Sequence, residues 1–199
     1  GSHKTRETSV GVAGKAGQTS VLASGVYSDT DGTNLRAGGD DKGFRNAGGL
    51  AKISHRFEQG GGAGVTVFQS EGNTEFENGD TDYMIRAAGL YVEAVASDYW
   101  RTRIQFSEAR DEQETFGAYP SIYDSLSRSA RWENTLTAGV HELVLGSEVM
   151  VDEVEGSDEF TETSRTNAAV FGQGRLNFGA TDVMLSLRLD DNEAFGKEE

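Results

Sequence analysis

"HELVLGSEVMVDEVEGSDEFTETSR", residues 141–165, decides how the chain is read. Leu143, Leu145, Val149 and Val151 share one parity, while Glu142, Glu148 and Asp152 fall on the other. Successive side chains of a strand point to opposite faces, so this is a strand with one apolar and one charged side. The alternation then runs straight into a dense block of acids. Taken alone, that block fits a solvated loop of a soluble sandwich as well as anything else, so the other connections must arbitrate.

The same pattern recurs in "TDVMLSLRLDD", where Val183, Leu185, Leu187 and Leu189 oppose Asp182, Ser186, Arg188 and Asp190. "DYMIRAAGLYVEAV" (82–95) carries apolar residues on both parities and suits a helix too. Its neighbour "DYWRTRIQFSEAR" (98–110) sets Trp100, Ile104 and Phe106 against Arg101, Arg103 and Gln105, which favours a hairpin turning at 96–98. Extended along the chain, this reading predicts strands at 6–14, 18–28, 43–57, 62–71, 82–95, 98–109, 122–138, 141–153, 161–177 and 181–190. Tight connections fall at "GKAG", "EQGGG", "ASD", "GVH" and "FGA", and longer polar ones at 29–42, 72–81, 110–121 and 154–160. Short and long alternate. A soluble meander has no need of that rule, whereas an outer-membrane barrel has short periplasmic turns and long external loops. The fold expected is therefore all-β, an antiparallel transmembrane β-barrel of ten strands.

Composition is compatible with this. The 199 residues suffice for one domain, and 33 acids against 18 lysines and arginines give a net charge of -15, which repels nucleic acid. With no cysteine, neither disulfides nor a thiolate zinc site can form. No run is long and apolar enough for a membrane helix, but a barrel strand needs apolar residues only at every second position. Phe57, Trp100 and Phe178 beside short turns, with Tyr27, Phe68 and Tyr83 nearer the longer ones, suit two interfacial girdles and equally suit an ordinary core. Glycine and alanine in "NAGGLAKISHRF" and "NAAVFGQGRLNFG" bury little area, and fit a curved wall better than a packed core. Arginines and glutamates on the opposite parity would line a polar interior, or form a plain polar sheet face. Residues 1–4, opening "GSH", read as a tag remnant, 5–196 as the barrel and 197–199 as a terminal tail.

The stretches "SDTDGTNLRAGGDDKGFRNAGGLAKISHRF", "ARDEQETFG", "SARWENTLTAGVHELVLGSEVMVDEV" and "ETSRTNAAVFGQGRLNFGATDVMLSLRLDDNEAFG" resemble, in order, the vitamin B12 (cobalamin) branch of TonB-dependent outer-membrane transporters. The resemblance implies early to middle strands of a 22-stranded plugged barrel, a bacterial outer membrane as location, cobalamin bound at the outer face, and uptake driven by an energy-coupling partner. The chain shows neither plug nor coupling box. It is thus expected to bind cobalamin weakly or not at all, to engage no coupling partner, and to act as a truncated or engineered mini-barrel, refolded into detergent or lipid, or as a narrow porin-like passive pore.

Among candidate ligands, Asp40 and Asp41 in "GGDDKG", with Glu75, Glu77, Asp80 and Asp82 in the next connection, are hard oxygen donors of the kind calcium takes, and also the kind any solvated loop carries. The resemblance supports a calcium site there, with Asn34 standing where a further acid is expected. No catalytic set emerges. His3, His55 and His141 are scattered, and Ser125, Ser127 and Ser129 recur on one parity without a histidine to activate them. The non-enzymatic barrel competes with a soluble β-sheet module binding calcium or a small ligand, and with an incomplete fragment that has no activity of its own.

Overall fold

The computed structural model describes residues 2–34, 37–193 and 196–198, the last three as backbone. Ten long strands follow one another: β1 Arg6–Ala16, β2 Thr19–Thr30, β3 Phe44–Arg56, β4 Gly61–Phe76, β5 Gly79–Ser97, β6 Trp100–Gly117, β7 Ser121–Ala138, β8 His141–Gly156, β9 Ser164–Asn177 and β10 Asp182–Asn192. A short β11, Gly196–Glu198, lies where the terminal tail was expected and pairs with Asp190–Asn192. Each strand pairs antiparallel with its sequence neighbour, in the order β1 to β11. At the N-terminus, Ser2–Lys4 form a 3-10 turn held to the end of β2. The Asp31 N–H donates to the His3 carbonyl at 3.1 Å, and Lys4 Nζ lies 2.5 Å from Asp31 Oδ2.

The ten strands and their antiparallel order agree with the sequence reading, including the 82–95 segment that periodicity left ambiguous. The connections differ. Residues 72–81 and 110–121 were expected as long loops, yet β4 and β5 meet across Glu77–Asn78 alone and β6 reaches β7 across 118–120. "NGD" at 78–80 is a hairpin signal, and Asn78 takes the left-handed φ of 68° that asparagine tolerates. The acids of those stretches therefore sit on strand ends projecting beyond the apolar band. β5, of 19 residues, spans about 60 Å at ~3.3 Å per residue, roughly twice the thickness of a bilayer's hydrocarbon.

A second difference concerns closure. Among the described residues β1 is laddered only to β2, and β10 only to β9 and β11. The strands form a sheet with two edges, and the closed ten-strand ring expected from the even strand count is not what these ladders build.

Nothing among the described residues covers the sheet. Among the described residues, the one buried apolar side chain is Ala169, at 5% exposure. A soluble domain packs at least two layers around a core; this is one layer.

Candidate functional site

The ladder registers sort the side chains into two faces, because directly paired residues point the same way. On one face Leu187 pairs with Gly172, which pairs with Leu145, and Leu185 aligns likewise through Gly174 with Leu143. The same face carries Trp132, Ile104 and Val92 in one register row, and Val65, Ile53 and Val21 in another at the far side. These side chains stand free, with Leu185 63% and Leu187 65% exposed. Val149 shares this face and Glu148 and Arg188 occupy the other, as the alternation predicts. Phe68 and Tyr83 correct the girdle expectation. Phe68 pairs with Leu50 and Ala87, and Tyr83 with Gly72 and Gln113, all on the polar face.

The apolar band stops at a line of ion pairs. Beyond Ala88, Phe106 and Ala130, the same face presents Arg86, Arg110 and Arg128. Arg86 pairs with Glu112, Arg110 with Asp124 (Nε to Oδ1, 3.0 Å), and Arg128 with Glu108 at 2.9 Å. Three strands thus turn from hydrocarbon-like to charged at one level.

On the polar face, glycines carry aromatic rings. Gly64 pairs directly with Tyr91, Gly72 with Tyr83 and Gly146 with Phe171. A Cβ on Gly64 would meet Tyr91 Cε1 at 2.6 Å, and one on Gly146 would meet Phe171 Cζ at 2.2 Å. Each ring therefore lies across a glycine on the neighbouring strand, the arrangement by which aromatics rescue glycine in sheets. Two of the rings hold arginines in turn: Arg103 sits 4.2 Å from the Tyr91 centroid and Arg131 4.4 Å from that of Phe171. Gly48, Gly49, Gly172 and Gly174, the strand glycines of the two stretches read as a curved wall, have no ring as a register partner.

From Arg131 an ionic network crosses to β10. Arg131 reaches Glu133 at 2.8 Å and Glu148 at 3.4 Å, and Arg188 reaches Glu148 at 3.0 Å and Asp190 at 2.8 Å. Ala169 of β9 pairs with both Glu148 and Asp190, so Arg188 bridges over it. The buried alanine is covered by salt bridges. Hydroxyl pairs continue the polar surface, with Ser107 to Ser129 at 2.7 Å and Thr81 to Thr115 at 3.1 Å.

The expected calcium ligands are not gathered. Asp41 shares an acidic depression with Asp29, Asp31 and Glu75, whose Oε2 accepts the Gly43 N–H at 2.9 Å. Asp80 instead accepts from Asn73 at 2.7 Å, Glu77 occupies the β4–β5 turn, and Asp40 is exposed in the 31–43 connection. Among the described residues no group of three or more histidines and carboxylates is placed to hold a metal. The histidines serve turns: His55 Nδ1 lies 2.9 Å from Thr19 Oγ1, and His141 Nδ1 accepts the Asn177 N–H at 3.2 Å. The direct register partners of Ser125, Ser127 and Ser129 include no histidine.

Searches against family models and curated proteins return no match. Solved structures do match. The siderophore receptor PiuA of Acinetobacter baumannii superposes with a TM-score of 0.78 at 8% identity, over 96% of this chain and 41% of that one. The copper transporter OprC gives 0.76 at 15% identity, over 96% and 36%. The ferripyoverdine receptor of Pseudomonas aeruginosa gives 0.74 at 11% identity, over 96% and 36%. The chain shares the antiparallel all-β fold of the matched parts of these outer-membrane receptor and transporter chains. It spans well under half of the length of each of these matched chains. None of these three is described as a cobalamin transporter, so the vitamin B12 resemblance rests on the sequence stretches alone.

Proposed function

We propose that the chain is a non-enzymatic stretch of transmembrane wall from an outer-membrane uptake receptor, with lipid against its apolar face and the transport lumen against its polar face. The observation that carries this reading is the uncovered apolar face running from Val21 to Leu187 on a single-layer sheet. Left in water such a surface far exceeds what soluble monomers expose, and a lipid bilayer is the solvent it fits. No helix among the described residues could cross a membrane, so the strands do the crossing. The soluble-module alternative lacks the buried core it needs. A narrow passive pore made by this chain alone would require β1 to meet β10, which the ladders do not do.

Cobalamin uptake is the substrate reading the sequence stretches favour, with a bacterial outer membrane as the location. The isolated chain should bind cobalamin weakly or not at all, because one arc of wall supplies one side of a ligand site. Calcium belongs to this reading through the acidic depression at Asp29, Asp31, Asp41 and Glu75, toward which the 31–43 connection would have to carry Asp40. Calorimetric titration with calcium, with magnesium as comparison, should give heat that is lost when Asp40, Asp41, Glu77 and Asp80 are changed together to amides. No heat, or heat unaffected by those changes, removes calcium from the account.

The experiment for the wall itself is folding with and without detergent. A β-sheet signal and heat-modifiable electrophoretic migration should appear only with detergent or lipid. A monodisperse monomer folded in plain buffer would overturn the reading.

A further inference from the structure

Two adjacent register rows cross the polar face near the short-turn end. One runs Lys15, Ser20, Ser54, Gly64, Tyr91 and Gln105, and on to Arg131, Glu148 and Asp190. The other runs Arg56, Gly62, Glu93 and Arg103, and on to Glu133, Phe171 and Arg188. In the half made by β7–β10, every arginine on these rows has carboxylates: Arg131 has Glu133 and Glu148, and Arg188 has Glu148 and Asp190. In the half made by β1–β6, the balance is different. Arg103 stacks on its ring as Arg131 does, but its hydrogen-bond partner is the neutral Gln105, at 3.2 Å. Glu93, directly opposite Arg103 in register, lies 3.6 Å from Arg101 instead.

Lys15, Arg56 and Arg103 line a single depression of about 230 Å³ with Ser20, Ser54 and Tyr91. Its lining carboxylate, Glu93, is shared with Arg101, and Glu133, opposite Arg103 on the next strand, is tied to Arg131 at 2.8 Å, so three cations face one lining acid in a chain whose net charge is -15. Uncompensated positive charge in an otherwise acidic molecule draws anions locally, and guanidinium forks with hydroxyl donors are the groups that bind oxyanions. The Arg103 fork is pre-set as well, because Gly64 makes room for the Tyr91 ring on which it lies.

We infer that this depression binds a small oxyanion of two or more negative charges on the luminal face, held by Lys15, Arg56 and Arg103 with Ser20 and Ser54 beside them. The inference rests on the polar face being open to water, as the wall reading has it. The probe is pyrophosphate, titrated calorimetrically into detergent-folded protein at fixed ionic strength, with sodium chloride as the comparison. Binding should be saturable, and affinity should fall at least tenfold in Arg103→Gln and in the double variant Lys15→Gln with Arg56→Gln. Arg103→Lys should retain part of it. Arg188→Gln, which removes a counter-ioned arginine that does not line the depression, should leave affinity unchanged.

Heat-modifiable migration checks each variant's fold, and protein that never folds in detergent counts against the wall reading. Folded protein giving no heat beyond the sodium chloride comparison, or losing affinity equally in Arg188→Gln and Arg103→Gln, overturns the anion site and leaves the wall reading standing.

Discussion

The two faces of the same ten strands solve opposite problems. On the apolar face large side chains stand free, Leu187 beside Gly172 and Ile104 beside Trp132, with no second layer above them. On the polar face many aromatic and charged groups are held by a neighbour: rings lie over glycines, arginines over rings, and carboxylates join strands two apart. The difference teaches which solvent each face meets. A face whose residues gain nothing from one another must gain from its surroundings, whereas a face tied by ion pairs and hydroxyl pairs can stand in water.

The largest effect expected from breaking this asymmetry is on the apolar face. Leu185→Arg should cost about 2–4 kcal/mol of membrane insertion if it lies near the midplane, while Ser186→Arg, one residue along on the polar face, should cost well under half as much. Partition between bilayer and urea-unfolded protein measures both. Equal costs would erase the distinction between the faces.

Next in size is the glycine–ring device. Gly146→Ala places a Cβ where Phe171 now lies, so the ring and the Arg131 stacked on it must shift, at about 1–3 kcal/mol, the usual range for overpacking. Gly174→Ala should be far milder, since its added Cβ meets nothing within 4 Å. Urea unfolding in detergent would compare them.

A smaller change follows from loss of the bridge over Ala169. Arg188→Gln leaves Glu148 to Arg131 alone and Asp190 to Asn167, whose side-chain amide donates to it at 3.0 Å. These groups are partly solvated, so the expected loss is about 1 kcal/mol or less, and it should shrink in high salt. A loss independent of salt would point to packing over Ala169.

The smallest effect is at the N-terminal turn. The hydrogen bond and charge of Asp31 raise the Lys4 amine above its ordinary pKa. A raised folded value means the tie contributes fully at neutral pH and is lost as pH climbs through the strongly alkaline range. Protection of the Asp31 amide, whose N–H donates to His3, measured against the base-catalysed intrinsic exchange rate, should fall there and stay unchanged between mildly acidic and neutral pH.

Much of this was legible in the residues. Strict alternation in 141–153 and 181–190 placed both the strands and their faces, because a period of two is a direct image of a half-apolar sheet. Connection length was less legible. At 72–81 and 110–121 the acids looked like loops, but charge there marks strands that run beyond the apolar band while keeping their ladders, and only the Asn78–Gly79 pair signalled the tight turn. The glycine–ring pairs could not be read from one strand at a time, since Gly64 and Tyr91 become neighbours only through register. The gathering of Lys15, Arg56 and Arg103 was hidden for the same reason: they lie on three different strands.

The most direct measurement is depth-resolved fluorescence quenching of single labelled cysteines on folded protein in bilayers, on a chain with no native cysteine to compete. Labels at Leu145, Leu187 and Ile104 should be quenched strongly by lipid-borne quenchers, and labels at Glu148, Ser186 and Gln105 by aqueous iodide. Equal quenching of both sets by iodide, or the reverse pattern, would contradict the claim that these strands are a membrane wall with the apolar face toward lipid.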